Sequence, residues 1–245
     1  MNVLGVLLLA SALTSPLLCT TSTGKMPRIE AAQDGPPLWV PASIAVQPDG
    51  ELSAAYFDPV RLQRLEQNRA RNSEGCLSYL SSGPMSPAAI ATIEDRVPAA
   101  YTIVAGEVTA AEDGFYAGMP GTLFTVQITR RLKMFGHAHD ATELYVFVAG
   151  GDIATSRGHI CSTAGPGAVV PRRGDRLVVF SQLPAHDVNR HLIRPDPRAG
   201  IIIERDHTLL GPANLRTGRP ADLASIVRAI EHSQGATEVP SRAGQ

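Results

Sequence analysis

Tyr101-Thr102-Ile103-Val104-Ala105-Gly106-Glu107-Val108 opens a run of alternating apolar residues, and Gly174-Asp175-Arg176-Leu177-Val178-Val179-Phe180 closes it. Alternation with a period of two puts every second side chain on the same face of an extended chain, so the run reads as strands with one face on a core. The first strand is expected over Thr102–Ala110. Between the two ends lie Thr122–Leu132, where Leu123, Phe124, Val126, Ile128 and Leu132 are interleaved with Thr and Arg, and then Glu143–Val148. Ile153 followed by Gly158–Cys161 reads as a hairpin, and Ile201-Ile202-Ile203 as a short buried strand. Glu112–Gly121 carries Gly114, Gly118, Pro120 and Gly121 and reads as a long turn. Short strands at this spacing favour a small antiparallel barrel, because closure removes exposed edges. The expected fold class is mainly β with flanking helices.

The helices lie outside this run. Asp58-Pro59 supplies an N-cap and a first-position proline. Leu62 and Leu65 then share a face, with Arg61, Arg64, Glu66, Arg69 and Arg71 directed elsewhere, and the helix ends near Asn72. Ser86-Pro87 starts a short second helix to about Asp95. After Pro220, Leu223, Ile226, Val227 and Ile230 form an i, i+3, i+4, i+7 stripe, the signature of an amphipathic C-terminal helix packed on the sheet. The chain therefore divides into a leader at 1–23, an extended proline-rich arm at 24–57 anchored by Trp39 and Val40, a helical segment at 58–97, a barrel domain at 98–211, and a helix and tail at 212–245.

Composition narrows the function. With 22 basic and 23 acidic side chains in 245 residues, the net charge is −1, which offers no basic footprint for nucleic acid. Aromatics make up only 5%, so the core rests on aliphatic side chains. Met1–Thr23 reads as a signal peptide: Val3–Ala10 is its apolar centre and Cys19–Thr23 supplies small residues for cleavage, although no Lys or Arg precedes the apolar stretch. Ser11, Thr14, Ser15 and Pro16 interrupt that stretch, so no stable membrane span is expected after cleavage, and the mature protein is expected to be secreted or periplasmic. A true start at Met26 would instead leave a cytoplasmic chain. Lipid anchoring through Cys19 is disfavoured, because Pro16, Leu17 and Leu18 match a lipidation site poorly. Once the leader is removed, Cys76 and Cys161 remain as a disulfide candidate, with two separate buried thiols as the alternative. Closing so long a loop stabilises by about 4 kcal/mol.

Two clusters carry candidate chemistry. His137-Ala138-His139-Asp140 places two imidazoles on one side of an extended chain, and His159 on a neighbouring strand could complete a three-histidine zinc or copper site. Asp140 or Glu143 would serve as fourth ligand or outer acceptor. The alternative is a solvated loop. The second cluster, Gly114–Gly121, carries Phe115, Tyr116 and Met119, which read either as a binding loop or as a cap folded over the barrel end. His186-Asp187, His191, and His207 beside Asp206 and Glu204 could form acid–base pairs, but they read first as exposed loop residues. Arg173-Gly174-Asp175 reads as a turn. No nucleophile elbow, phosphate loop or dinucleotide fingerprint is present in the sequence.

Ile103–Val108, Thr125–Lys133 and Gly174–Phe180 together resemble a pattern in uncharacterised exported bacterial proteins with an oligosaccharide-binding-like (OB-like) barrel. The pattern is also similar to the barrel of netrin-like and metalloproteinase-inhibitor domains. The resemblance covers about a third of the chain and rests on core strands, so it implies fold rather than function. It implies an OB-like barrel. It does not carry inhibitor activity, because a mature N-terminal cysteine would require cleavage after Leu18 and the dense disulfide framework of those domains is missing. The expected role is non-enzymatic binding or scaffolding in the cell envelope, with an envelope protein or small ligand as partner and no cofactor. The alternative is a zinc-binding protein or metal-dependent hydrolase using His137, His139 and His159.

Overall fold

The computed structural model describes residues 39–76, 93–134, 141–162, 170–181, 192–193, 200–211 and 222–235. Its first elements are β1 (Trp39–Pro41), α1 (Ala42–Ala45), α2 (Pro59–Arg71), α3 (Ile93–Ala99), β2 (Thr102–Tyr116) and β3 (Met119–Lys133). There follow β4 (Glu143–Ala149), β5 (Gly151–Thr155), β6 (Gly158–Ser162), β7 (Arg176–Ser181), β8 (Leu192–Ile193), β9 (Ile201–Arg205), β10 (Thr208–Leu210) and α4 (Leu223–Gly235).

The spine is the hairpin of β2 and β3, each 15 residues long. Only Ala117 and Gly118 lie between the strands, with φ of 49° and 77°, the two positive values that fit a tight turn to strand twist. The long turn expected over Glu112–Gly121 is therefore strand almost throughout. Its glycines serve close approach. Gly114 and Gly121 face each other across the ladder. A Cβ on Gly114 would lie 2.7 Å from the Trp39 ring, and one on Gly121 would lie 2.6 Å from the Phe147 ring. Without side chains at these positions, both rings can lie against the sheet.

Eight strands form one sheet in the order β10-β9-β7-β2-β3-β4-β8, with β1 also paired to the end of β2. All pairings are antiparallel except β4 with β8. Among the described residues no pairing joins β10 to β8, so the closed barrel expected from the sequence is not found. The sheet nevertheless has a face that it fills by itself. Val104, Val108, Phe124, Val126, Leu144, Val146, Leu177, Val179, Ile201 and Ile203 share one core cluster to which, among the described residues, no helix contributes. Strands of one sheet can meet on their own face only if the sheet curls, and three register shifts between β2 and β3 supply the bends.

Helices cover the opposite face. Ile93 and Val97 of α3 and Leu223, Ile226, Val227 and Ile230 of α4 pack on Ile103, Ala105, Val178, Phe180 and Ile202. Consecutive residues of β7 thus enter different cores, which accounts for its unbroken apolar run. The C-terminal stripe behaves as its spacing predicts, and Asp222 caps α4 by accepting the Ser225 N–H at 2.7 Å. Truncating Ile226, fully buried here, would cost about 2–5 kcal/mol. Of the helix expected over Ser86–Asp95, most lies outside the described residues, and α3 runs on to Ala99.

Residues 39–57 are built into the body and do not form an extended arm. Trp39 and Val40 are buried as expected, and β1 pairs Trp39 with Tyr116 and Val40 with Phe115. Ala45, Leu52 and Phe57 join Leu65 of α2 and Ile153 and Ile160 of the β5–β6 hairpin around Phe115. Helix α2 starts at Pro59, with Asp58 accepting the Arg61 N–H at 2.9 Å, and it is capped at Asn72. Arg69 departs from the outward position expected of it. Its guanidinium is buried and donates to the Gly50 carbonyl and the Glu66 carboxylate.

Candidate functional site around the disulfide

The last turns of α2 present two asparagines to the edge of β6 that no strand among the described residues pairs. Asn68 Nδ2 donates to the Cys161 carbonyl at 2.9 Å, and the Cys161 N–H donates to Asn68 Oδ1 at 2.8 Å. One turn further on, the His159 N–H donates to the Asn72 carbonyl at 3.0 Å. This approach requires Gly158. Its φ is 124°, and a Cβ there would lie 3.2 Å from both the Arg69 carbonyl oxygen and the Ser73 Cα. The chain leaving α2 then reaches Cys76, which is disulfide-bonded to Cys161 across a sequence separation of 85. The expected pairing of Cys76 with Cys161 is present.

Hairpin register brings a carboxylate to the same place. Asp152 on β5 lies directly opposite Cys161 on β6. Its Oδ1 is 2.7 Å from His159 Nδ1, so the imidazole donates to the carboxylate and its Nε2 is left to face other groups. The sulfurs of Cys76 and Cys161 and a carboxylate oxygen of Asp152 lie within 4.8 Å of one another. Asp152 is exposed, and both cysteines and His159 are half-buried, so solvent reaches the group.

Of the three histidines expected to form a metal centre, only His159 is among the described residues. His137, His139 and Asp140 lie outside them, as do His186, Asp187 and His191. The partners of His159 within the description are Asp152 and the Asn72 carbonyl. Asp206 and His207 occupy the turn between β9 and β10, with φ of 48° and 61°. Glu204 is engaged elsewhere: it pairs with Arg176 at 2.8 Å and accepts the Leu223 N–H at 3.3 Å.

Of the two expectations for Gly114–Gly121, a binding loop or a cap over the barrel end, neither describes it: the segment is a strand end and tight turn whose aromatics pack on both faces of the sheet. Phe115 is fully buried and meets Phe57 edge-on, with ring centroids 5.1 Å apart. Tyr116 points the other way, into the cluster of Trp39, Leu123, Phe147 and Leu192, and Met119 packs against the same cluster. Alternation along a strand forces these two neighbouring aromatics apart, so they cannot form a single binding surface.

Three groups escaped the sequence reading. Asp152 and Asn68 become partners of Cys161 only through hairpin register and helix docking. The third is Glu112, whose carboxyl burial holds above its ordinary value; the Trp39 indole lowers it in part and the Asp113 charge raises it. Asp175 of the Arg173-Gly174-Asp175 turn is buried. Burial pushes its carboxyl up, but hydrogen bonds from Arg205 and the Arg172 N–H, with the charges of both arginines, outweigh this and hold it below its ordinary value.

No family model matches the chain, and no curated protein or solved structure matches it.

Proposed function

We infer that the chain is an exported, non-enzymatic β-domain protein that binds or scaffolds in the cell envelope, with its curled sheet as an incompletely closed OB-like barrel. The observation that supports export is the Cys76–Cys161 disulfide, which ties the helical segment to the β5–β6 hairpin. Such a bond persists in an oxidising compartment and is rare where thiols are kept reduced. The leader pattern of Met1–Thr23 points the same way. No helix among the described residues is long and apolar enough to cross a membrane. The partner on this reading is an envelope protein or a small ligand.

The test is intact-mass spectrometry of the protein recovered from cell fractions, with and without reductant. A chain shortened near Thr23, found outside the cytoplasm and gaining the mass of two hydrogens on reduction, is expected. A cytoplasmic chain starting at Met26 with free thiols would overturn the reading. Cross-linking in the intact envelope then identifies the bound partner.

One observation favours a metal-binding alternative. A metal-ligating histidine commonly donates its second ring N–H to a carboxylate, and His159 does so to Asp152. On that reading zinc sits on His137, His139 and His159. Metal binding by the oxidised protein, lost in His137→Ala and His139→Ala, is its test.

A further inference from the structure

We propose that reduction of the Cys76–Cys161 bond creates a site for one zinc-class divalent cation, held by the two thiolates and the Asp152 carboxylate, with His159 positioning that carboxylate. The site shares His159 with the three-histidine alternative but takes its ligands from Cys76, Cys161 and Asp152, and it does not depend on export.

In a tetrahedral zinc site the ligand atoms stand about 3.6–3.8 Å apart, given zinc–sulfur and zinc–oxygen distances of about 2.3 Å and 2.1 Å. The two sulfurs are bonded to each other and must separate on reduction, but the Asp152 oxygen already lies within 4.8 Å of both. Side-chain rotation of the freed cysteines is enough to open a cradle. Two of the three donors sit on opposite strands of one hairpin, in direct register. The Cys161 backbone is fixed on its other side by Asn68. Ligands on rigid elements lose little freedom when they bind a metal.

The chemistry selects the ion. Two thiolates and one carboxylate favour zinc and its neighbours over magnesium or calcium, which take oxygen ligands. The fourth position is left to water. Asp152 Oδ1 accepts from His159, so Oδ2 can face the metal while the imidazole fixes the carboxylate, an arrangement common around bound zinc.

The step is a thiol–disulfide exchange followed by metal binding. A dithiol reductant attacks the Cys76–Cys161 bond, its own two sulfurs join as a disulfide, and Cys76 and Cys161 each gain an electron and a proton. The cation then displaces both thiol protons to form two metal–sulfur bonds. A disulfide oxidant reverses the exchange: its two sulfurs take the electron pair and become a dithiol, the Cys76–Cys161 bond re-forms and the ion is released, so cation binding reports the redox state of this corner.

The probe is Co²⁺ added without air to the full chain, oxidised and after dithiol reduction with the reductant removed. The reduced chain is expected to bind one Co²⁺ with a thiolate-to-cobalt charge-transfer band, and the oxidised chain to show no such band. Asp152→Ala and His159→Ala are expected to weaken cobalt binding by about 10–100-fold. Both variants keep the disulfide, so their fold is checked in the oxidised state by circular dichroism. Cys19→Ser is expected to leave the band unchanged. A reduced chain without the band overturns the proposal, as does full affinity in Asp152→Ala, or loss of the band in Cys19→Ser. Cobalt bound without a thiolate band and lost in His137→Ala assigns the metal to the histidine cluster and also overturns it.

Discussion

The carboxamide of Asn68 pairs with both backbone groups of Cys161, donating to its carbonyl at 2.9 Å and accepting its N–H at 2.8 Å. A side chain thus stands where a neighbouring strand would, and this edge of β6 is closed to further pairing. In Asn68→Ala both groups lose their partner. Unsatisfied, partly buried backbone groups cost about 1–3 kcal/mol, so urea denaturation of the oxidised protein should shift by that amount. The disulfide of the variant should also be reduced faster by a dithiol. Unchanged stability would show that water replaces the carboxamide without loss.

Arg205 grips Asp175 with two hydrogen bonds, Nε to Oδ1 at 2.9 Å and Nη2 to Oδ2 at 2.5 Å. The aspartate is almost wholly buried and the arginine is one-fifth exposed, at 6% and 21% of side-chain surface. Arg205→Ala strands a buried carboxylate, and the expected loss is about 3 kcal/mol, the lower end for a broken buried pair. The pH dependence follows from the lowered carboxyl of Asp175. The pair's contribution is complete above the ordinary carboxylate value and is lost as pH falls through the lower folded value. Denaturation curves of the native chain and Arg205→Ala should therefore lie apart at neutral pH and converge in acid. Arg205→Lys should recover little, because an ammonium cannot make the paired bonds.

Glu112 has the opposite sign. Burial raises its carboxyl, and the Asp113 charge adds to this against the Trp39 indole. The folded chain then holds more protons than the unfolded one just above the ordinary carboxylate value, so stability falls as pH rises through that window. The whole cost is present above the raised folded value. Glu112→Gln keeps an acceptor for the indole and removes the charge. Its Tm should exceed that of the native chain at neutral pH, and the gap should narrow in acid. Equal Tm values at neutral pH would contradict this account.

Gly121→Ala places a methyl group 2.5 Å from the Val148 carbonyl oxygen and 2.6 Å from the Phe147 ring. Neither can yield without moving the β3–β4 ladder, and overpacking of this kind costs about 1–3 kcal/mol. Gly114→Ala places its methyl carbon 2.7 Å from the Trp39 ring and closer still to the Val40 carbonyl oxygen, so β1 should shift and carry the ring with it. Trp39 is the only tryptophan, so its fluorescence should move to the red. Emission identical to that of the native chain would rule out the contact.

His207 holds a positive φ of 61° in the turn between β9 and β10. The left-handed penalty of about 1–2 kcal/mol exceeds the extra backbone freedom that glycine loses on folding, so His207→Gly should stabilise by roughly 0.5–1 kcal/mol. Thermal unfolding measures it, and a lowered Tm would assign His207 a contact worth more than the strain.

What could be read in the sequence was what is decided locally. Asp58-Pro59 caps α2, and the stripe of Leu223, Ile226, Val227 and Ile230 buries α4, because each signal lies within a few turns of helix. Gly114 and Gly121 misled as turn signals, since the rings that require them, Trp39 and Phe147, come from distant parts of the chain. Sheet closure was equally out of reach. β1, β8 and β10 have only 3, 2 and 3 residues, too short for any alternation to register. At the site, Cys76, Cys161 and His159 stand out by residue type. Asp152 does not, because an exposed aspartate acquires meaning only once the hairpin places it opposite Cys161. Arg69 follows Leu65 by four residues and so shares its face of α2, but its charge argued for an outward position, and only the fold shows the Gly50 carbonyl and Glu66 that receive its guanidinium.

Among the described residues, strand β2 enters all four core clusters: Val104 and Val108 in the self-filled face, Ile103 and Ala105 under the helices, Phe115 against the disulfide hairpin, and Tyr116 beside Trp39. In mechanical terms it is a single beam carrying four loads. A cut that opens β2 therefore loosens all four at once, and digestion that begins there should pass from intact chain to small fragments with no stable core between.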